Sequence, residues 1–345
     1  MKKLSSTPGK STFSLSALSR TRGQLYGVMT FLIFFCHTFV RYDLLLKNAT
    51  VLYVGIEHLR HIAVSAVDMF LIMSGVSLYF SYSADPRTKE FYKKRAMRIL
   101  PPMLFVSAIW FALISKGGAA DYLRSVFFIT FFTEGNRNFW FFVFLLFCYL
   151  IYPLLHKLFS KTGIYGLIAC VALSVACNFL LMNFCSDFYN NIEVALIRIP
   201  SFLFGCWLGK YVKEEKSISC KWLFVAVFVY LVTFVAAFIN NSATETIFYY
   251  MCFPLAISSL MLLSALFSRF ALKTLTVILT WLGGYSLEFY LLYEKVRDLA
   301  RPTIGTTDET LLILYSFAFF VTIALAVGLK HLCNIFNEKI FKKLS

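Results

Sequence analysis

Charged residues are scarce in this chain, and the acidic ones are scarcer than the basic ones. Only 15% of the 345 residues are charged, with 18 Asp and Glu against 33 Lys and Arg, whereas 59% are hydrophobic. A soluble domain has about 25% charged residues. A soluble fold of this length could not bury so much apolar surface, but a lipid bilayer can accommodate it. The composition therefore excludes an ordinary soluble domain and indicates an integral membrane protein.

The sequence also lacks the usual signals of a metal site and of nucleic-acid binding. Its nine cysteines include no Cys-x-x-Cys pair, and most of them lie inside apolar runs, which argues against a zinc site or a disulfide framework. The net charge of +15 comes from basic residues that flank apolar runs, as orientation signals do. We therefore predict no metal and no nucleic-acid partner.

Ten apolar segments approach the length that crosses a bilayer, which is roughly 20 residues. We predict an all-α polytopic bundle of about ten transmembrane helices, at residues 24–40, 61–82, 101–115, 139–158, 163–184, 192–211, 221–239, 246–267, 274–293 and 311–333. The shorter apolar stretch Tyr122–Phe132 is expected to lie at the interface or to re-enter. Pro101 and Pro102 are expected to open the third helix, after a separate basic surface helix at Arg87–Ile99.

The distribution of Lys and Arg predicts the orientation of these helices. With the N-terminus inside, the inner segments hold 23 of the 33 basic residues and the outer segments hold nine, so both termini are predicted to be cytoplasmic. We expect basic cytoplasmic tails at 1–23 and 336–345 around a transmembrane domain at 24–335, in a multi-pass protein of the plasma or inner membrane. The acid-free first 25 residues also resemble a transit peptide, but the charge pattern favours a tail.

Four ionisable residues fall within the predicted spans, namely His37, Asp68, Arg198 and Glu288. Ionisable groups are costly inside a bilayer, so each is a functional candidate. Counting along straight helices at 1.5 Å per residue places all four within roughly 5–10 Å of the outer boundary, which predicts one shared polar layer. The alternative is structural: Arg198 forms a buried ion pair with Glu288 or Asp68, and His37 is a packing residue.

Two arginines at the opposite, inner end form a second candidate site. Arg95 and Arg98 are three residues apart and so share a helix face. Guanidinium groups bind phosphate bidentately, so the pair is a candidate polyphosphate site. The alternatives are an ordinary positive-inside loop and contact with anionic lipid. From Tyr26 to His37 the first helix covers eleven residues, or roughly 16 Å. A pantetheine arm held by its nucleotide at the inner face has about that reach.

Six sequence blocks, in order, resemble the acyltransferase 3 family of membrane acyltransferases over nearly the whole membrane region. They are GVMTFLIFFCHTF ending near His37, VDMFLIMSGVSLYF with Asp68, Ser74 and Gly75, KKRAMRILPP with Arg95 and Arg98, NFWFFVFLLFCYLIYPLL with Trp140 and Pro153, LIRIPSFLFGCWLGK with Arg198, and WLGGYSLEFYLLYE with Ser286, Leu287 and Tyr290. The resemblance implies transfer of an acyl group, usually acetyl from acetyl-CoA, to a sugar hydroxyl of a cell-surface or lipid-linked glycan.

Under this hypothesis His37 and Asp68 are catalytic. An imidazole can take the acceptor proton as the hydroxyl attacks the thioester, and Asp68 is expected to orient the ring. An acyl-histidine intermediate is the open alternative. The predicted acetyl-CoA ligands are Arg95, Arg98 and Arg22, and the predicted substrate or structural polar layer comprises Tyr26, Arg198, Glu288, Ser74 and Trp140.

The chain departs from the family pattern at two positions. Tyr26 stands where the family usually has arginine, although Arg22 lies one turn earlier, and Tyr293 stands where many members have histidine. A catalytically degenerate homologue is therefore one alternative. A secondary transporter or glycolipid flippase is another, because intramembrane Asp, Glu and His often relay protons. Membrane lipid is an expected partner and an oligomer is compatible with the sequence.

Overall fold

The computed structural model describes residues 12–38, 55–56, 58–60, 62–113, 118–239, 245–270, 273–305 and 307–344. This part of the chain is a helical bundle with one two-stranded sheet. Its elements are β1 (Thr12–Ser14), α1 (Ala17–Arg20), α2 (Arg22–Cys36), α3 (Ala66–Ala84), α4 (Thr88–Leu113), α5 (Ala119–Val126), α6 (Ile129–Glu134), α7 (Trp140–Thr162), α8 (Ile164–Phe184), α9 (Ser186–Leu196), α10 (Ile199–Lys213), β2 (Ser217–Ser219), α11 (Lys221–Ile239), α12 (Glu245–Arg269), α13 (Lys273–Gly283), α14 (Ser286–Ile304) and α15 (Asp308–Leu344).

Within the described residues, seven helical segments are long and apolar enough to cross a membrane, or eight if the bent pair α13–α14 is one span. The all-α membrane class is thereby confirmed. The shorter apolar helices α2 and α11 coincide with the first and seventh predicted spans, so ten crossings and their orientation stay predictions. Some predicted residues lie outside the described ones, namely the span ends at 39–40, 61 and 114–115 and the tail residues 1–11 and 345.

Helices α3 and α10 pack closely through small residues. A Cβ added to Gly75 would collide with the backbone of Gly205, and one added to Gly205 would collide with Ile72. Small residues let helix backbones approach inside a bilayer, where packing rather than the hydrophobic effect holds helices together. This contact fixes the first turn of α3, which carries Asp68, against the start of α10, which follows Arg198.

Residues 12–20 of the predicted N-terminal tail are folded onto the bundle. Strand β1 pairs antiparallel with β2, and the single-turn helix α1 follows it. Phe13, Leu15 and Leu18 are buried and belong to the main core. These apolar side chains alternate with Ser and Thr, so the overall composition of the tail is polar and does not indicate a buried segment.

The predicted break before Pro101 and Pro102 is wrong, because both prolines lie inside the continuous helix α4. A proline at 101 removes the N–H that would bond the carbonyl of Met97. The side-chain amide of Asn337, from α15, donates to that carbonyl at 3.1 Å. A neighbouring helix thus satisfies the freed group, which is how membrane helices tolerate internal proline. The basic segment and the third span are therefore one helix.

The ninth predicted span is two helices rather than one. Helices α13 and α14 meet at 73°, and the turn between them is closed by the Gly284 N–H, which donates to the carbonyl of Thr280. A Cβ added to Gly283 would collide with the carbonyl of Gly23 and come within 2.9 Å of Tyr26. The bend therefore packs directly against the start of α2.

The apolar stretch Tyr122–Phe132 belongs to α5 and α6, which have eight and six residues. At 1.5 Å per residue neither helix can cross a bilayer, as the length of the stretch predicts. Arg124 of α5 forms an ion pair with Glu134 of α6, and this pair joins the two short helices.

Candidate functional site

A cavity of about 420 Å³ opens between α2, α3, α4, α7, α15 and the α13–α14 bend. Its lining side chains fall into three chemical groups. The basic group is Arg22, Arg95, Arg98 and Lys330; the hydroxyl-bearing group includes Tyr26, Ser74, Ser77, Tyr149, Thr280, Ser286 and Tyr290; and the apolar group includes Ile33, Val67, Phe70, Phe141, Leu145 and Leu287. The cavity therefore joins a cationic region to an apolar one.

The cationic region draws on three helices. Arg95 and Arg98 come from α4, Arg22 from α2 and Lys330 from α15. The Nε of Arg95 is buried without a hydrogen-bond partner, and its guanidinium lies 5.4 Å from the ring centroid of Phe91. A buried donor without a partner is costly. The arrangement suits an anionic ligand, and phosphate matches guanidinium geometry best.

Arg22 and Tyr26 line the same cavity, one turn apart on α2. The Arg22 guanidinium lies 5.5 Å from the centroid of the Tyr26 ring. The departure at Tyr26 thus moves the first-helix cation by one turn and does not remove it from the cavity.

The cavity follows α2 from Arg22 to Ile33, which is eleven residues or roughly 16 Å of helix. His37 lies one turn beyond Ile33, at the C-terminal end of α2, and is not itself a lining residue. Phe141 and Tyr290 also line the cavity, with ring centroids 5.0 Å apart. An extended ligand held by the cations would point its far end towards His37.

The imidazole of His37 faces a carboxylate that sequence reasoning did not select. Its Nδ1 lies 3.5 Å from Oε1 of Glu294, and the two side chains are 35% and 37% exposed. The straight-helix interpretation ended the ninth span at residue 293 and so left Glu294 in a loop. The available signal was an acidic residue directly after an apolar run, beside Tyr293.

Asp68 has partners other than His37. Its carboxylate, 1% exposed, accepts hydrogen bonds from Nη1 of Arg198 at 2.7 Å and from Oγ of Ser201 at 2.5 Å. The Arg198 guanidinium is 2% exposed and lies between the rings of Trp140 and Tyr249, at 5.6 and 4.9 Å from their centroids. The structure thus agrees with the structural alternative for this pair, and Asp68 is not positioned by these contacts to orient the imidazole.

Glu288 does not share a layer with His37. It lines a second cavity of about 320 Å³ together with Lys94, Arg98 and Lys330, so the prediction of one polar layer is wrong for this residue. The depth count assumed a straight ninth helix. The bend at Gly283 and Gly284 redirects the chain, and Glu288 falls in the first turn of α14, beside the basic region.

Tyr293, the second departure from the family pattern, is a packing residue here. It is 2% exposed, stacks on Phe289 with ring centroids 5.7 Å apart and makes an edge-on contact with Phe34 at 5.2 Å. It lines neither of the two cavities.

Comparison with family models matches residues 25–331 to the acyltransferase 3 family, whose model describes an acyltransferase domain. The chain belongs to this family. The resemblance of the six blocks is thereby confirmed, and the protein is a multi-pass membrane acyltransferase in the general sense that the family defines. No curated protein and no solved structure matches the chain.

Proposed function

We propose that this acyltransferase 3 protein moves an acyl group, expected to be acetyl, from cytoplasmic acyl-CoA to a hydroxyl of a cell-surface or lipid-linked glycan. The donor would lie along α2. Its phosphates would contact Arg22, Arg95 and Arg98, and its pantetheine arm would extend towards Ile33. The acceptor hydroxyl would meet the thioester at His37.

The observation that carries this proposal is the pairing of charge and shape in one cavity. Three arginines and a lysine line its basic region, the Arg95 Nε has no hydrogen-bond partner, and the apolar lining residue Ile33 lies one turn before His37. Few ligands combine a strongly anionic head with a long uncharged arm, and acyl-CoA is one of them. The length of the cavity along α2 supports that match.

The His37–Glu294 pair supports general-base chemistry. With Nδ1 turned to Glu294, a carboxylate can hold the ring in the tautomer whose Nε2 is free to accept a proton. Nε2 would take the proton of the acceptor hydroxyl as its oxygen attacks the thioester carbonyl, and the thiolate of CoA would leave. Glu294 would stabilise the imidazolium that results, the role that sequence reasoning gave to Asp68.

An acetyl-CoA turnover assay with candidate glycan acceptors tests this function. His37→Ala should lower the rate by about 10²–10⁴-fold, the usual loss of general-base catalysis, and should leave CoA binding intact. His37→Gln should be nearly as inactive because an amide cannot take the proton, and Glu294→Gln should be intermediate.

Near wild-type turnover by His37→Ala would remove His37 from the mechanism. If the wild type transfers no acyl group at all but moves a substrate across vesicles, the transporter hypothesis would replace this one.

The proposed orientation is tested by cysteine labelling from the two sides of the membrane. A cysteine at Glu90 should react only from the cytoplasmic side and one at Arg301 only from the outer side, each compared with the parent protein. Labelling of Glu90→Cys from outside would reverse the proposed donor side.

A further inference from the structure

The second cavity, which the transfer chemistry does not use, adjoins the first. It measures about 320 Å³, and its wall includes Arg98 and Lys330, which also line the first cavity. We propose that this second cavity seats the adenosine 3′-phosphate end of the donor, an inference that rests on the proposed function. A ligand with an anionic centre at Arg98 and Lys330 could then extend one arm into each cavity.

The second cavity offers a buried amide oxygen that lacks a hydrogen-bond partner and a carboxylate that lacks an ion pair. Glu288 is 8% exposed, and within the described residues no cation lies at ion-pairing distance from it. The Oδ1 of Asn337 is buried and without a partner, while its amide nitrogen is committed to the Met97 carbonyl. Buried acceptors are normally paired. The exocyclic amine of adenine carries two N–H groups, which can be donated to the Asn337 amide oxygen and to the Glu288 carboxylate.

The second cavity also has a cation of its own. Lys94 lines this cavity and not the first, and it lies one turn before Arg98, on the same face of α4. Its ammonium donates to the exposed Asp85 carboxylate at 3.2 Å. A phosphate on the ribose could replace Asp85 as its partner, since ammonium–phosphate contacts are charge-assisted. The cavity thus combines acceptors for a base with a cation for a separate phosphate.

The test compares CoA with dephospho-CoA, which lacks the 3′-phosphate, by calorimetric titration of the purified full chain in detergent. The wild type should prefer CoA by about tenfold, the order expected for one charge-assisted contact. Lys94→Gln should reduce the preference to about threefold or less. Lys89→Gln, an exposed residue of the same helix that lines neither cavity, should keep the wild-type ratio.

A second comparison probes the base. A CoA analogue with hypoxanthine in place of adenine presents a carbonyl where adenine has its amine, so the wild type should bind it about tenfold more weakly than CoA. Glu288→Gln should narrow that difference, because an amide can donate to the carbonyl.

Three results would overturn the proposal. The first is equal affinity of the wild type for CoA and dephospho-CoA. The second is an equal loss for both ligands in Lys94→Gln, which would mean general electrostatic attraction. The third is displacement of CoA by phosphatidylglycerol in a manner that depends on Lys94, which would assign the cavity to a lipid headgroup. Absence of binding by either coenzyme would instead refute the proposed donor, and the subsite with it.

Discussion

Two charged regions of this protein, the Asp68–Arg198 pair and the cations of the first cavity, differ in whether their arginines form ion pairs. Asp68 and Arg198 bind each other, with Ser201 as a further donor. Arg95 and Arg198 each keep a buried Nε without a hydrogen-bond partner, but among the described residues no carboxylate lies at ion-pairing distance from Arg95. Because an uncompensated buried charge is costly, a cation kept without a protein partner is expected to meet a ligand, whereas a paired one holds helices together. The type of charged residue does not distinguish these roles, but the partner does.

Removing one member of the paired region should have the largest effect on stability. Asp68→Ala would leave Arg198 buried without its carboxylate, and breaking such a pair costs about 3–5 kcal/mol. Thermal unfolding in detergent would measure the loss. The matched control is Asp68→Ala in an Arg198→Met background, which should recover most of the stability. If Asp68→Ala is as stable as the wild type, the pair is not structural.

An alanine substitution at Arg95, in the first cavity, should affect ligand binding and not folding. Arg95→Ala removes a charge-assisted contact to the proposed donor, which is worth about 1.5–3 kcal/mol of binding free energy. CoA titration would show the drop in affinity, while the unfolding temperature should stay the same or rise, because a desolvated cation is removed. If Arg95→Ala loses stability but keeps its CoA affinity, Arg95 has a structural role like that of Arg198, and the distinction between the two regions is wrong.

Substitution of Lys330 should affect both stability and ligand binding, because this residue lines the cavity and also has a protein partner. Its ammonium donates to the Gly284 carbonyl at 2.7 Å and lies 4.7 Å from the centroid of the Tyr285 ring. Lys330→Met should cost about 0.5–1.5 kcal/mol of stability, the net value of one hydrogen bond, and should also weaken CoA binding. An effect on only one of the two measurements would assign Lys330 to a single role.

The smallest effect is expected at Asp85, in the turn between α3 and α4. Hydrogen bonds from Arg87 and Lys94 hold the pKa of its carboxyl well below the usual value. A lowered pKa contributes stability above the unfolded value of about 3.9 and loses it as the pH falls towards the folded value. Asp85→Asn should therefore differ slightly from the wild type at pH 7 and converge with it at acidic pH. Exposed pairs often contribute nothing measurable, so a large difference at pH 7 would contradict this account.

The sequence predicted the helices and the chemical types at the site better than it predicted the geometry. Apolar length located every span candidate, and the spacing of Arg95 and Arg98 correctly placed both on one cavity wall. The predicted depth of Glu288 in the membrane was wrong because Gly283 and Gly284 bend the chain. The hydrophobic pattern of a sequence does not reveal a bend between two apolar helices. The partner of His37 was missed because the predicted span ended at residue 293, whereas α14 continues through Glu294 to Ile304.

The ion-pair partner of Asp68 was a second feature that the sequence alone did not predict. Asp68 could pair with His37 or with Arg198 on charge alone, and the closeness of α3 and α10, set by Gly75 and Gly205, favours Arg198. Single-sequence patterns do not encode such contacts between distant segments. The continuity of α4 through Pro101 was hidden similarly, because the group that satisfies the Met97 carbonyl comes from Asn337, far along the chain.

The strand pair β1–β2 bears on where the N-terminus of the protein can be truncated for expression. The family match begins at residue 25, but strand β1 already occupies Thr12–Ser14. A truncation at the family boundary would discard β1, expose the core surface that Phe13 and Leu18 cover, and delete Arg22 from the cavity wall. Such a shortened protein could insert in the membrane and still lack donor affinity, and its inactivity would then reflect the chosen boundary and not the enzyme.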